Sequence, residues 1–593
     1  MNAPSSTTPT SRAVRFLLGH LRPHALSLAL GFIVLVGVDL IQLIIPRIIQ
    51  NIIDGLGSAA VDQTRIARAT LVILLLAVAL VALRFLWRLF IVKPSRRIEE
   101  RMRNDLFGHL ETLSAPFFNR TKTGDLMALF VNDIGAIRMA TGMALIGLFD
   151  AVFMSAMSLA FMVATSPLLT AIVAAPLPVV VLMFVKVGGL LQRRFTAVQE
   201  SFSAISAHTQ ESFSGIRVIK TFGRERPEIG LLAQRCNAYV KDNLVLTRVW
   251  GLIFPVITLI ASLSYMLLLL FGGRLVMQRE LTLGEFIAFT FYINLLVWPM
   301  IATGWVWNLF QRGIASAKRV LEVLDARPDV TVTKGGTGEQ GLLSGAIEFR
   351  QCSFSYEKNG KYALNGITLS LPKGSSLGVI GRPGSGKTTL LSLLFHQYPI
   401  DRGTLFIDGR DVNDIPLNIL RQSIAYVPQD SFLFSDTIAA NIGFAVENEP
   451  VSKETVERAA LLADVHRDIM EFPGRYETRI GERGVTLSGG QKQRLAIARA
   501  LMAQHANMLL LDDALSSVDA VTEAQILRNI RSVIKHKTSI IIAHRLSTIR
   551  QCDTIIVLDG GAIVEQGSHE ELVGANGFYR KLYDLQRLKG NVE

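Results

Sequence analysis

At 593 residues the chain is too long for one ordinary domain, so two or more cores are expected. Half of its residues are hydrophobic and the mean hydropathy is +0.37, which argues against a wholly soluble protein and fits one that is half membrane. The net charge of +12 does not point to nucleic acid, because the basic residues of the first half cluster beside apolar runs, as the positive-inside bias produces without such a partner.

The chain opens on Ser, Thr and Pro over residues 2–11, which read as a disordered tail, and residues 1–22 as a whole read as a disordered, cytosolic N-terminal segment. Arg12, Arg15 and Arg22 then precede an apolar run, as in a secretory signal. The run is too long for one, lacks a clear cleavage site and is followed by five more, so it reads as a retained span. Six stretches meet the length of about 20 mostly apolar residues that a bilayer helix needs. They lie at approximately 24–46, 69–92, 139–165, 168–190, 249–272 and 284–307, within a transmembrane domain over 23–325.

Asp39, Arg84, Arg88, Asp150 and Lys186 interrupt these runs. Arg88, Lys186 and Arg84 fit snorkelling toward headgroups, whereas Asp39 is the better candidate for a transport pathway. The loops at 93–138 and 191–248 are rich in Lys and Arg, and the turn Ser166-Pro167 carries none, which places both termini in the cytoplasm. Both loops are mixed in polarity with few Gly or Pro, so the helices are expected to run on past the bilayer and return near Thr123-Gly124-Asp125-Leu126 and near Glu211–Gly215. The last span is rich in aromatics: Phe289, Phe291, Tyr292, Trp298, Trp305, Trp307 and Phe310. Trp298 and Trp305 share a helix face, which suits either a pocket wall or packing and interfacial anchoring.

A Gly-rich linker over 326–345 leads to a mixed-polarity domain over 346–593. Cys236, Cys352 and Cys552 are far apart and form no metal spacing, so they read as reduced thiols. The second domain contains Gly381-Arg382-Pro383-Gly384-Ser385-Gly386-Lys387-Thr388, a phosphate-binding loop between an apolar strand and a helix, with Thr389 next in line. Its glycines let backbone N–H groups wrap phosphates, Lys387 neutralises the β and γ groups, and Thr388 offers a hydroxyl to Mg²⁺. Downstream, Met508–Leu511 reads as a buried strand that delivers Asp512 to the same metal ion. The next acid, which would orient the attacking water, is Asp513, one methylene shorter than the glutamate expected there. A misplacement of about 1 Å costs on the order of 100-fold in rate.

Leu487-Ser488-Gly489-Gly490-Gln491 lies between these elements, and with it the chain resembles the ATP-binding cassette family. The resemblance implies a membrane all-α six-helix transmembrane domain fused to a cytosolic α/β P-loop nucleotide-binding domain, in exporter order. It implies that Ser488 and Gly490 close over the γ-phosphate held by the opposite cassette, that Tyr356 stacks on adenine, and that Gln429 senses the metal and faces the membrane domain. It also implies that Asp519 crosses the dimer interface, that His544 contacts the γ-phosphate, and that Gly481-Glu482-Arg483-Gly484 touches the membrane helices. The expected ligands are ATP and Mg²⁺, and the expected setting is a bacterial-type inner membrane.

One cassette and six spans require a second half-transporter to complete the machine. The run from Asp512 to Asp519 resembles the degenerate half of heterodimeric multidrug-type exporters, which favours a different partner chain over an identical one. The cargo expected is lipophilic or amphipathic, drug-like or lipid-like. A homodimeric lipid flippase and a regulatory ATP-binding membrane subunit are the competing readings.

Overall fold

The computed structural model describes residues 9–56, 63–330, 341–357, 360–446, 451–481 and 487–588. The chain divides into two compact units, Met1–Thr112 with Lys122–Ala326, and Leu113–Thr121 with Arg327–Glu593.

The secondary structure of the first unit's described residues is helical. Long apolar stretches with few breakers favour continuous helix, and Ala25–Leu56, Gln63–Thr112, Glu225–Leu267 and Leu283–Leu324 each exceed thirty residues. At about 1.5 Å per residue, the 50-residue helix Gln63–Thr112 is about 75 Å long, more than twice a hydrocarbon core of about 30 Å. Among the described residues, five helical stretches are long and apolar enough to cross a membrane: Thr10–Leu56, Gln63–Thr112, Thr123–Thr165, Glu225–Met277 and Leu283–Leu324.

Two expectations need correction. The continuous span expected over 168–190 is broken into Pro167–Ala174 and Leu177–Ser214. Pro176 and Pro178 have no N–H, so the ladder loses two donors within one turn, while Ala175 keeps helical angles and the break is a kink. Disorder expected over 1–22 does not extend to Thr10–Leu21, which is helical. Ala13 and Leu17, one turn apart, are buried, and Arg12 donates two hydrogen bonds of 2.6 Å to the Asp325 carboxylate. Residues 1–8 of that segment, and 331–340 of the expected linker, lie outside the described residues.

The last helix starts on a capping box, in which Thr282 and Glu285 satisfy each other's backbone N–H groups. Around its middle, Phe289, Tyr292, Ile293 and Leu296 pack with Leu43, Met162, Leu169 and Val173, and the Tyr292 hydroxyl donates to the Leu43 carbonyl. Trp298, Trp305 and Trp307 are exposed on this chain, so the aromatic stripe divides between core and surface. Two buried acids hold helices together. Glu99 accepts from Arg103 at 2.8 Å and pairs with Arg96 and Arg138. Asp133 accepts from Ser316 at 2.7 Å and from Arg319. Asp133 ends a single π-turn, Leu129–Asp133, whose extra residue re-aims the side chains beyond it.

The second unit is built on two sheets. β1 (Ile347–Phe354), β2 (Leu364–Leu371), β4 (Leu405–Ile407) and β5 (Arg410–Asp411) form an antiparallel sheet. A second sheet combines β3 (Ser376–Gly381), β6 (Ile424–Val427), β7 (Met508–Asp512), β8 (Thr538–Ile542), β9 (Thr554–Asp559) and β10 (Ala562–Gly567), in the order β10-β9-β3-β8-β7-β6. Its central strands are parallel, and β7 and β8 are buried along their whole length, as fits their largely apolar runs. Parallel pairing brings the carboxyl ends of β3, β6, β7 and β8 to one edge, where ligands bind in open α/β sheets.

Candidate nucleotide site

Gly381 closes β3, and the loop after it turns into the helix Lys387–Leu394. Gly384 and Gly386 have φ of +77° and +100°, which residues with a side chain rarely adopt. A Cβ on Gly381 would collide with the Leu558 carbonyl, and one on Gly386 with the Ala363 carbonyl. Arg382 and Pro383 are exposed at the rim, and the buried Ser385 hydroxyl has no hydrogen-bond partner among the described residues. Lys387 folds over the loop, its Nζ donating to the carbonyls of Gly381 at 3.0 Å and Arg382 at 2.9 Å. Burial pushes its ammonium pKa down, and the nearby Asp512 and Asp513 oppose that shift.

β8 pairs Ile542 with Asp512, and β3 pairs Val379 with Ile542, so the loop, both acids and His544 collect at one edge. The Thr388 hydroxyl lies 3.3 Å from Asp512 Oδ1. Asp512 is 1% exposed, and its Oδ2 has no hydrogen-bond partner among the described residues. Burial raises its carboxyl pKa, and Asp513 adds to the rise. An orphaned buried carboxylate oxygen beside a threonine hydroxyl fits a small hard cation with oxygen ligands. Gln429 stands in an exposed turn just after β6, where the register Val427 to Leu511 brings it level with Asp513. No described hydrogen bond joins it to Thr388 or Asp512.

Asp513 adopts φ of +49° and is 8% exposed. Its Oδ2 lies 3.9 Å from His544 Nε2, its N–H donates to the Ile542 carbonyl, and its own carbonyl accepts from the Ser516 N–H at 3.2 Å. Burial raises its pKa and His544 pulls it back. The turn is thus closed by its own backbone, with the carboxylate beside His544. Behind it lies a cavity of about 90 Å³ whose wall includes Glu523, Arg545 and Thr548. Glu523 is buried and accepts hydrogen bonds from Arg545 and Thr548.

Tyr356 follows β1, half-exposed, with its hydroxyl 2.9 Å from Thr389 Oγ1 and its ring edge-on to Phe354 and Tyr398. Tyr398 in turn accepts a 2.7 Å hydrogen bond from Asn119, which the sequence reading did not single out. Ser488 caps the helix Gly489–Met502 in a capping box with Gln491, so exposed backbone donors and a hydroxyl stand at a positive helix end. A Cβ on Gly490 would come to 3.0 Å from the Ser517 carbonyl. Gln493 also escaped the sequence reading: it donates to Ser516 and accepts from the Ser517 N–H, tying the signature helix to the turn after Asp513. Its place in the signature run was the available signal. Asp519 caps the helix Ala520–Ile534, and the backbone N–H groups it accepts hold its pKa down. Glu482, Arg483 and Gly484 lie outside the described residues.

Comparison with known proteins decides what these elements belong to. Residues 28–300 match the ABC transporter transmembrane region and residues 364–516 match the ABC transporter family. The chain is 37% identical to the probable multidrug resistance ABC transporter ATP-binding/permease protein YheI of Bacillus subtilis, over 96% of each chain. It belongs to the ABC exporters. The multidrug resistance-like ATP-binding protein MdlA of Escherichia coli is 35% identical over 94% of each chain. The ATP-dependent lipid A-core flippase of Pseudomonas syringae is 31% identical over 98% of this chain and 97% of its own. A bacterial Atm1-family ABC exporter solved with ATP bound superposes with a TM-score of 0.79 at 27% identity, covering 95% of this chain and 99% of that one. As an ABC exporter the chain is a multi-span membrane protein with an ATP-hydrolysing domain, of a family that works as dimers in the membrane.

Proposed function

We propose that this chain is one half of a heterodimeric exporter of lipophilic or amphipathic compounds, and that its own ATP site is the slow one of the pair. The observation that carries the reading is Asp513: a short carboxylate in a left-handed backbone conformation, 3.9 Å from His544. A glutamate would carry its carboxylate one methylene further toward a water on the γ-phosphate.

The other parts suit a working site. Loop N–H groups and Lys387 hold the phosphates, Tyr356 stacks on adenine, and His544 reaches the γ-phosphate. Thr388 and Asp512 would hold Mg²⁺, with Gln429 at the same sheet edge, and the ion would neutralise phosphate charge. Ser488, Gly489, Gly490 and Gln491 serve the partner's ATP, and Asp519 meets the partner across the dimer. Both termini are cytoplasmic. Closure of the two cassettes, relayed through the turns near Gly124 and Glu211, switches the membrane cavity from inward to outward, and hydrolysis at the partner's site resets it.

The test is ATP turnover by the purified homodimer, by the pair, and by both with Asp513→Glu. The expected result is a slow homodimer that D513E accelerates by about 10-fold to 100-fold. A wild-type homodimer as fast as an intact pair, unchanged by D513E, sinks the proposal. A homodimeric lipid flippase is the second reading, favoured by the 31% identity to the lipid A-core flippase. Affinity purification from the native host separates the two, since it recovers one kind of half-transporter or two.

A further inference from the structure

Asp39, in the helix Ala25–Leu56, has zero exposure, and neither oxygen of its carboxylate has a hydrogen-bond partner among the described residues. Its polar neighbours come from two other helices. Asp150 of Met143–Thr165 lies against it, and Arg84 of Gln63–Thr112 bears on both acids. Arg84 also reaches Gln42 Oε1, at 3.5 Å, on the turn of helix after Asp39. Apolar side chains flank the cluster on the same three helices: Phe32, Leu35, Trp87, Ile146 and Phe149.

Charge and hydrogen bonding are both unbalanced. When both acids are ionised, two carboxylates face one guanidinium, which leaves one negative charge uncompensated, and they cannot satisfy each other because both only accept; a proton shared between them is the other way to balance the cluster. The other buried acids of the same unit show what balance looks like: Glu99 has three arginines, and Asp133 has Arg319 and Ser316. What the Asp39 cluster lacks is one positive charge carried on N–H groups. A bare metal ion suits it poorly, because hard cations take six or more oxygen ligands and Arg84 would sit among them. A quaternary ammonium brings the charge without donors.

We propose that Asp39 and Asp150, with Arg84 as a fixed counter-charge, form the binding site for the protonated amine or amidine head group of an amphipathic substrate. This rests on the exporter reading and names its substrate class. Asp150 is half-buried and Arg84 is exposed, so the cluster opens on their side, while Asp39 forms its closed end. The flanking aromatics supply an apolar wall for the rest of such a molecule.

The test is equilibrium binding to the full-length chain in lipid nanodiscs without ATP, in whichever assembly it purifies. Three probes share one dansyl-alkyl body and end in a primary amine, a trimethylammonium or an N-acetyl amide. The wild type is expected to prefer the primary amine over the amide by about tenfold or more, with the trimethylammonium between them. Asp39→Asn and Asp150→Asn should each cut that preference below about threefold and leave amide affinity unchanged. D39N should also melt no lower than the wild type, since it relieves an unpaired buried charge, which a structural carboxylate would not do. If D39N does not fold, D150N at its half-buried position gives the same readout. An unaltered preference in both variants overturns the proposal. So does a wild type with no preference, the result if the two acids share a proton, and so does displacement by Na⁺ in place of the amine. Because nothing here depends on hydrolysis, a failure of the slow-site reading leaves this result standing, and the reverse holds too.

Discussion

In the nucleotide unit, chemistry is carried by neighbours in sequence: Lys387 bonds the carbonyls of Gly381 and Arg382, Ser488 bonds Gln491, and Asp519 caps the helix that follows it. In the helical unit, charges are also answered from far along the chain, beside local partners such as the Arg96 and Arg103 of Glu99. Asp133 and Arg319 are 186 residues apart, and Arg12 and Asp325 are 313 apart. The difference teaches where damage goes. A change in the nucleotide unit should act at one ligand locus, whereas a change in the helical unit leaves an unpaired group on another helix.

The largest effect should follow Lys387→Ala, which removes a charged donor from a phosphate site and should lower ATP binding at this chain's loop on the order of 100-fold, measured by titration with labelled nucleotide. Melting should stay near that of the wild type. A loss of stability with ATP binding intact would break the comparison. Next comes Asp133→Ala, which strands Ser316 and Arg319. Because Arg319 is half-exposed and can take up water, the expected loss is about 2 kcal/mol rather than the ~3–5 of a fully buried pair, read from thermal unfolding in detergent. The double variant D133A/R319A should recover part of it, and a D133A that melts like the wild type would remove the contrast between the units. Smallest is Asn119→Ala, which deletes one neutral hydrogen bond worth about 1 kcal/mol. Tyr398→Phe should match it and the pair should add nothing further, so full additivity would show that the two side chains do not act on each other.

The same contrast explains what the sequence made legible. Phosphate loop, metal-side strand and signature are short runs whose spacing is their geometry, and each lies on the strand end or helix start that its pattern announces. Asp513 was readable as one methylene short, but its left-handed backbone and the backbone bond from Ser516 depend on the turn it sits in. The kink at Pro176 was present in the letters, yet hydropathy sums over a window and does not register a missing N–H. Helix Thr10–Leu21 was hidden beneath a Ser, Thr and Pro composition, although Ala13 and Leu17 carry its spacing. Pairs such as Asp133 with Arg319 were out of reach because nothing local to either residue names the other.

The nine residues Leu113–Thr121 belong to the nucleotide unit although more than two hundred residues separate them from the rest of it. Within that unit Asn119 donates to Tyr398, and the Ser114 hydroxyl accepts from the Val330 N–H. The compact unit and the continuous stretch of chain therefore do not coincide. A soluble fragment that begins at residue 346 would carry every nucleotide-binding run and still be an incomplete domain, with the Tyr398 hydroxyl left to water. Supplying a peptide spanning residues 110–124 to such a fragment should restore in trans what the cut removed.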